Sequence, residues 1–305
     1  MEIRPPRGPE ELAHIVAIRN AVYPDDPVTV GDFVAWGEQA REKHDLLAAD
    51  DGAFVGGARI YRGPERPNPW AHIWVAPEQR RRGVGSALFG GLSQWASDRG
   101  DAELEAWVLE DEPSGIGFAQ QHGFRETGRE RELALDLTAT DPPDVQAPEG
   151  IEIITWAERP ELARGLFEVA REAIPDVPGE GDADLDSFED WLAHDMQSAG
   201  DKPEATFVAL AGDEAVGYSK FALTEAQPTV AHHDITGVKR AWRKRGIARA
   251  LKATQIRWAH EHGYEQLRTR NEDRNAPIRR LNEEFGYTPF SGRIYLRGPV
   301  SSAGS

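Results

Sequence analysis

Apolar residues recur along the chain at two spacings, one near 3.6 and one of 2, and the order in which the spacings alternate is repeated. Ile3-Arg4-Pro5 reads as a short first strand, and Pro9 to Asn20 as a helix with Leu12, Ile15, Val16 and Ile18 on one side. A second helix carries Phe33 and Trp36, and Leu46–Ala49 with Phe54–Ile60 form a hairpin about Asp50-Asp51-Gly52. The strand PWAHIWVAP follows, then a helix from Gly83 bearing Leu88, Leu92 and Trp95, a strand Leu104–Val108, a helix ending at His122-Gly123-Phe124 and a strand Leu133–Leu137. The second pass runs through Ile153 and Leu162, then Phe188 and Trp191, and a hairpin Phe207–Leu210 and Val216–Phe221 about Gly212-Asp213-Glu214. It continues with the strand TVAHHDITGV, a helix from Gly246 with Leu251, Ile256 and Trp258, a strand Gln266–Arg270, an end at Phe285-Gly286-Tyr287 and a strand Ile294–Leu296.

From Val75 to Phe124 the match is gapless. Val75 pairs with Val238, Arg80 with Arg243, Gly83 with Gly246, Trp95 with Trp258 and Phe124 with Tyr287, each at an offset of 163 residues. The chain is therefore an internal duplication, with halves expected at 1–140 and 151–300 and a Pro-rich linker at 141–150. Its 305 residues allow two cores of ordinary size.

Composition narrows the chemistry. With no cysteine, disulfides, thiolate metal sites and a cysteine nucleophile are excluded. No apolar run long enough for a membrane span or signal peptide occurs, so the expected location is cytoplasmic. The 35 basic residues stand against 52 acidic ones, a net charge of −17, which is the wrong sign for a surface that tracks nucleic acid. The excess acidity serves solubility and suits a cationic substrate. Nothing in the sequence bears on oligomeric state.

Between the strand ending at Val75 or Val238 and the next helix lies a basic, small-residue loop, Arg80-Arg81-Arg82-Gly83-Val84-Gly85-Ser86 in one half and Arg243-Lys244-Arg245-Gly246-Ile247-Ala248 in the other. The first N–H groups of a helix have no partner inside it, and with the helix dipole they make a site for a phosphate or pyrophosphate. A dinucleotide-binding turn would place a third glycine where Leu88 stands. A solvated charge run at a helix start is the plain alternative, and its repetition in both halves argues against it.

The pattern Arg-x-x-Gly-x-Gly/Ala, twice, each followed about 40 residues on by a Gly-aromatic pair, resembles the acyl-CoA pyrophosphate loop of the GNAT (GCN5-related N-acetyltransferase) superfamily, in a tandem two-domain form. The resemblance implies an α/β (α+β) fold in which each half is a mixed, twisted sheet of six to seven strands with about four helices. It also implies acetyl-CoA as co-substrate on the two loops and transfer of its acetyl group to a small-molecule amine. In that superfamily a carboxylate on the strand before the loop often faces the amine, and His232 or Asp234 stands there in the second half, whereas the matching parity in the first half, Pro69, Ala71, Ile73 and Val75, cannot titrate. The asparagine that contacts the pantetheine arm matches Asn275, and Glu112 takes its place in the first half. The second half is thus expected to be catalytic, with no metal. The tyrosine that often protonates the thiolate is Ala119 in one half and Asn282 in the other, which leaves the acid unassigned. That departure supports an alternative, a tandem module that holds acyl-CoA and performs no chemistry.

Overall fold

The computed structural model describes residues 1–301 except 39, 64–66, 145, 177–186, 199 and 273–275, and the backbone but not the side chains of Asn271, Glu272 and Ala276. In chain order the elements are β1 (Glu2–Arg4), α1 (Pro9–Val22), α2 (Val30–Glu38), β2 (Glu42–Asp50), β3 (Ala53–Arg62), β4 (Trp70–Val75), α3 (Val84–Ser97), β5 (Glu103–Leu109), α4 (Pro113–Gln121) and β6 (Arg125–Asp136). They continue with β7 (Glu152–Thr155), α5 (Ala163–Ala173), α6 (Phe188–Trp191), β8 (Thr206–Ala211), β9 (Glu214–Ala222), β10 (Val230–Val238), α7 (Ile247–Glu261), β11 (Gln266–Glu272), α8 (Ala276–Glu284) and β12 (Thr288–Pro299).

Two compact units result, and the first is built from two separate pieces of chain. The first comprises Met1–Arg129 and Gly292–Ser305, the second Glu130–Ser291. The stretch 141–150, expected to join the halves, falls inside the second unit, where Arg257 Nη2 donates to the Pro143 carbonyl at 2.7 Å. Leu133–Leu137, expected in the first half's sheet, instead pairs with β11: Leu133 faces Thr269 and Asp136 faces Gln266. The last strand makes the reciprocal move, with Arg293 opposite Leu109 and Pro299 opposite Glu103 on β5. Each sheet is thus closed by the other repeat's final strand.

In the first unit β1 to β4 are antiparallel neighbours, and β4 meets β5 in parallel. The hairpin between β2 and β3 turns on Asp51 and Gly52, at φ 46° and 81°, the pair of positive angles that a two-residue turn between right-twisted strands requires. Alternation along β4 sends Val75, Ile73 and Ala71 to the α3 side, packed with Leu88 and Leu92, and Trp74 to the α1/α2 side with Ile15 and Phe33. The second unit repeats this, with Val238, Leu251 and Ile256 on the α7 side and Leu166, Val169 and Tyr218 on the α5 side. The helices bury the stripes that their periodicity announces. On α7, however, Lys252 and Gln255 are buried as deeply as the leucine and isoleucine beside them.

Candidate active site

The two loops have the same backbone. Arg81 and Lys244 lie at φ 64° and 61°, and Gly83 and Gly246 at φ 82° and 86°, the glycines serving as left-handed N-caps of α3 and α7. A positive φ is free for glycine and strained for Arg81 and Lys244, so both copies keep the same local cost in order to hold one shape. The first intrahelical bonds run from Ala87 N to Gly83 O and from Ala250 N to Gly246 O, at 3.0 Å each. The N–H groups of Val84, Gly85 and Ser86, and of Ile247, Ala248 and Arg249, precede those bonds, and no side chain caps either helix. A Cβ on Gly83 would meet nothing within 4 Å, and one on Gly246 would touch Pro148 Cγ at 3.6 Å. Both loops therefore fit the diphosphate of acetyl-CoA, with Val75 and Val238 ending the strands that lead in.

The arginines that open the loops are fastened differently. Arg80 Nη1 lies 3.3 Å from Glu112 and from Ser114 Oγ. Arg243 donates to the Val238 carbonyl at 2.9 Å and to Asp176 at 2.6 Å, and Asp176, which Arg240 also holds, has its carboxyl pulled far below the usual range. Arg82 and Arg245 stay near their own loops, on Gln79 and on the Ala241 carbonyl. Asn275 lies outside the described residues.

In each unit the central parallel strands pair only at their start. β10 and β11 are joined from Val230–Gln266 to His233–Thr269, and β4 and β5 at Trp70–Glu105. Just past His233, β10 slips its register against β9 before Thr236. Asp234 lies in this slip. Its Oδ2 is 2.7 Å from Lys220 Nζ, and Lys220 also meets Asp201 Oδ1 at 2.5 Å. Lys220 and Asp201 are buried, whereas Asp234 is 46% exposed, so a carboxylate that faces solvent is anchored from beneath by a buried pair. Burial works against the Lys220 ammonium, but Asp234 and Asp201 outweigh it and hold its pKa above the ordinary value. Burial raises the carboxyls of Asp201 and Asp195, against the pull of Lys220. Two residues back, His232 Nε2 donates to Gln227 Oε1 at 3.3 Å.

The neighbouring His233 points the other way. Its Nδ1 donates to Gln255 Oε1 at 3.1 Å and its Nε2 accepts from Tyr287 Oη at 2.5 Å, which fixes a neutral tautomer. Burial, reinforced by Lys252, keeps its pKa well below that of a free imidazole. His233, Gln255, Tyr287 and Lys252, whose Nζ lies 4.9 Å from the Tyr287 ring centre, form a polar cluster under α7. Sequence reasoning missed Lys252 and Gln255. Their signal was two polar residues on the face that also carries Leu251 and Ile256.

The first half has no counterpart of this slip. The register slip belongs to β10, and β4 pairs with β3 without interruption. Alternation along β4 therefore puts His72, which stacks on Trp74 at 5.8 Å, on the face opposite Ala71, Ile73 and Val75.

The sequence matches the acetyltransferase (GNAT) family over residues 11–124 and 164–287. The chain belongs to that family. It is an acyltransferase in tandem form. Its relatives include mycothiol acetyltransferases of Geodermatophilus obscurus, 28% identical over 80% of this chain and 78% of that one, and of Thermomonospora curvata, 24% identical over 95% and 94%. Among solved structures, a tandem GNAT protein from the clavulanic acid biosynthesis pathway superposes with a TM-score of 0.82 at 20% identity, covering 99% of this chain and all of the other. A GCN5-related N-acetyltransferase from Sphaerobacter thermophilus gives 0.72 at 23% identity, over 99% and 96%. Among the described residues, no helix is long and apolar enough to cross a membrane.

Proposed function

We propose that the second unit acetylates the amine of a small molecule, with acetyl-CoA on the Arg243–Ala248 loop and Asp234 as the base. The observation that carries this reading is the Asp234–Lys220–Asp201 arrangement at the point where β10 and β11 part. Bound acetyl-CoA supplies the acetyl group as a thioester. The incoming amine forms its bond to the acetyl carbon as the carbon–sulfur bond breaks, and its proton passes to Asp234, directly or through one water. Lys220 holds that carboxylate in place, and Asp201 shares the charge of the same lysine. His232, on the same face, is the other candidate base. Three carboxylates around one ammonium favour a cationic acceptor. The names of the relatives support a mycothiol-related amine.

The non-catalytic alternative is not favoured, because relatives named for acetyl transfer span nearly the whole chain. Replacing Asp234 and His232 separately by alanine tests the base. Loss of thiol release of about a hundredfold or more in Asp234→Ala, with acetyl-CoA binding retained by calorimetry, is the expected result. Full activity in both variants would remove the base from this strand. Gly246→Glu should abolish acetyl-CoA binding to the second unit, and an unchanged isotherm there would shift the chemistry to the first.

A further inference from the structure

In the first unit an ion pair lies across the wide end of the gap between the central strands. β4 and β5 are joined at Trp70–Glu105 and part beyond it. The chain that leaves β4 at Val75 runs on to Arg80, and the chain that leaves β5 at Leu109 runs on to Glu112, the residue just before α4. Arg80 Nη1 lies 3.3 Å from each carboxylate oxygen of Glu112 and 3.3 Å from Ser114 Oγ, and the Ser114 hydroxyl donates to the same carboxylate. The backbone of Glu112 is fixed as well. Its N–H donates to the Leu109 carbonyl at 3.2 Å, and its carbonyl accepts from Gly115 and Ile116 at 3.1 and 3.2 Å.

A ligand whose diphosphate rests on the N–H groups of Val84, Gly85 and Ser86 can reach the gap between β4 and β5 only past the ends of those strands, where this pair stands. The passage is bordered by α4, since a Cβ on Gly85 would lie 3.2 Å from Phe118. Burial alone would raise the Glu112 carboxyl, but the Ser114 hydroxyl and Arg80 outweigh it and hold it below the ordinary value, so a negative charge stands beside an anion cradle. Arg80, the cation that opens this loop, is neutralised by that charge. The second unit is arranged otherwise. Arg243 turns to the Val238 carbonyl and to Asp176, and the residue that matches Glu112 is Asn275, whose amide carries no charge.

We propose that Arg80 and Glu112 form a bar across the acetyl-CoA cradle of the first unit, which lowers its affinity and leaves the second unit as the one tight site. Glu112 has this role on the reading that both loops are acetyl-CoA sites. It acts in two ways. Entry of the ligand must separate it from Arg80 and Ser114, and its carboxylate then faces the ligand's phosphates as a like charge. Both partners of the pair are 29% exposed, and such a pair is weak by itself, so the first cradle is weakened and not abolished.

The test is calorimetric titration of acetyl-CoA into the full chain carrying Gly246→Glu, which removes the second site. In that background Glu112→Asn, which installs the second repeat's residue, is expected to tighten binding about tenfold, and a further Gly83→Glu to abolish it. Glu112→Gln keeps the shape and drops the charge. It should tighten binding likewise, and it decides the matter if Glu112→Asn fails to fold. Glu78→Gln removes an exposed carboxylate two residues before Arg80 and should leave the affinity unchanged. Unchanged affinity in both Glu112 variants, or an equal gain from Glu78→Gln, would overturn the bar and leave the second site standing. A tight isotherm that survives Gly246→Glu would instead overturn the reading of the loops on which the bar rests.

Discussion

Lys252 occupies the position that Phe89 fills in the first repeat, and Gln255, Asn282 and Tyr287 likewise replace Leu92, Ala119 and Phe124. Four apolar neighbours have become polar together, and Lys252, Gln255 and Asn282 are no more than 1% exposed. Burial lowers the Lys252 pKa to about 7, and no described carboxylate pairs with it. Between pH 7 and about 10 the unfolded chain, with an ordinary lysine, binds this proton more readily than the folded one. Lys252 therefore costs most stability below pH 7, and the cost fades as pH rises through that window. Lys252→Met should raise the unfolding free energy at pH 6 by roughly 3 kcal/mol and by much less at pH 10, measured as urea midpoints at both values. A gain independent of pH would show that the ammonium is not what the core resists.

At the scale of elements, α3 holds two glycines that should respond to alanine with opposite sign. Gly83, the N-cap at φ 82°, must adopt a left-handed conformation, so Gly83→Ala should cost about 1–2 kcal/mol. Gly90 lies inside the helix, and a Cβ there would meet nothing within 4 Å, so Gly90→Ala should add about 0.5–1 kcal/mol. Paired denaturation curves check both, and equal shifts would contradict the loop geometry. The loop was legible in the sequence because its requirements are local: small residues after arginines, at a fixed offset from the same pattern. The face of β10 was legible only up to His233, since alternation holds until the register slips, and a slip of one residue leaves no mark in composition. On β4, where no slip occurs, plain alternation puts His72 opposite Trp107, so the parity of β10 cannot be carried across from one half to the other. Lys220 and Asp201 were not foreseen either, because nothing local ties residues on separate strands and turns to Asp234.

For the molecule as a whole, the duplication could be read from sequence, but the destination of the final strands could not. Pairing of β12 with β5 joins residues about 190 apart, and hydrophobic pattern specifies that a strand exists without naming its partner. A cut at the Pro-rich stretch should therefore fail to give two folded halves. Residues 1–140 expressed alone lack the strand that flanks β5 and should unfold without a cooperative transition, whereas 130–291 should melt as a unit. Circular dichroism melts of the two fragments decide this, and a sharp transition in 1–140 would refute it.

Exchange of the closing strands also sets a timetable during synthesis. Once β5 has left the ribosome, roughly 10–40 s pass at ordinary elongation rates before Gly292–Pro299 emerges to cover its edge. Throughout that interval the earlier half presents an open strand to its surroundings, where a second nascent copy could pair with it. Slow translation of the later half would thus be expected to endanger the earlier one, and the cell's supply of tRNA for residues after 109 becomes a determinant of how much of this protein reaches its native state.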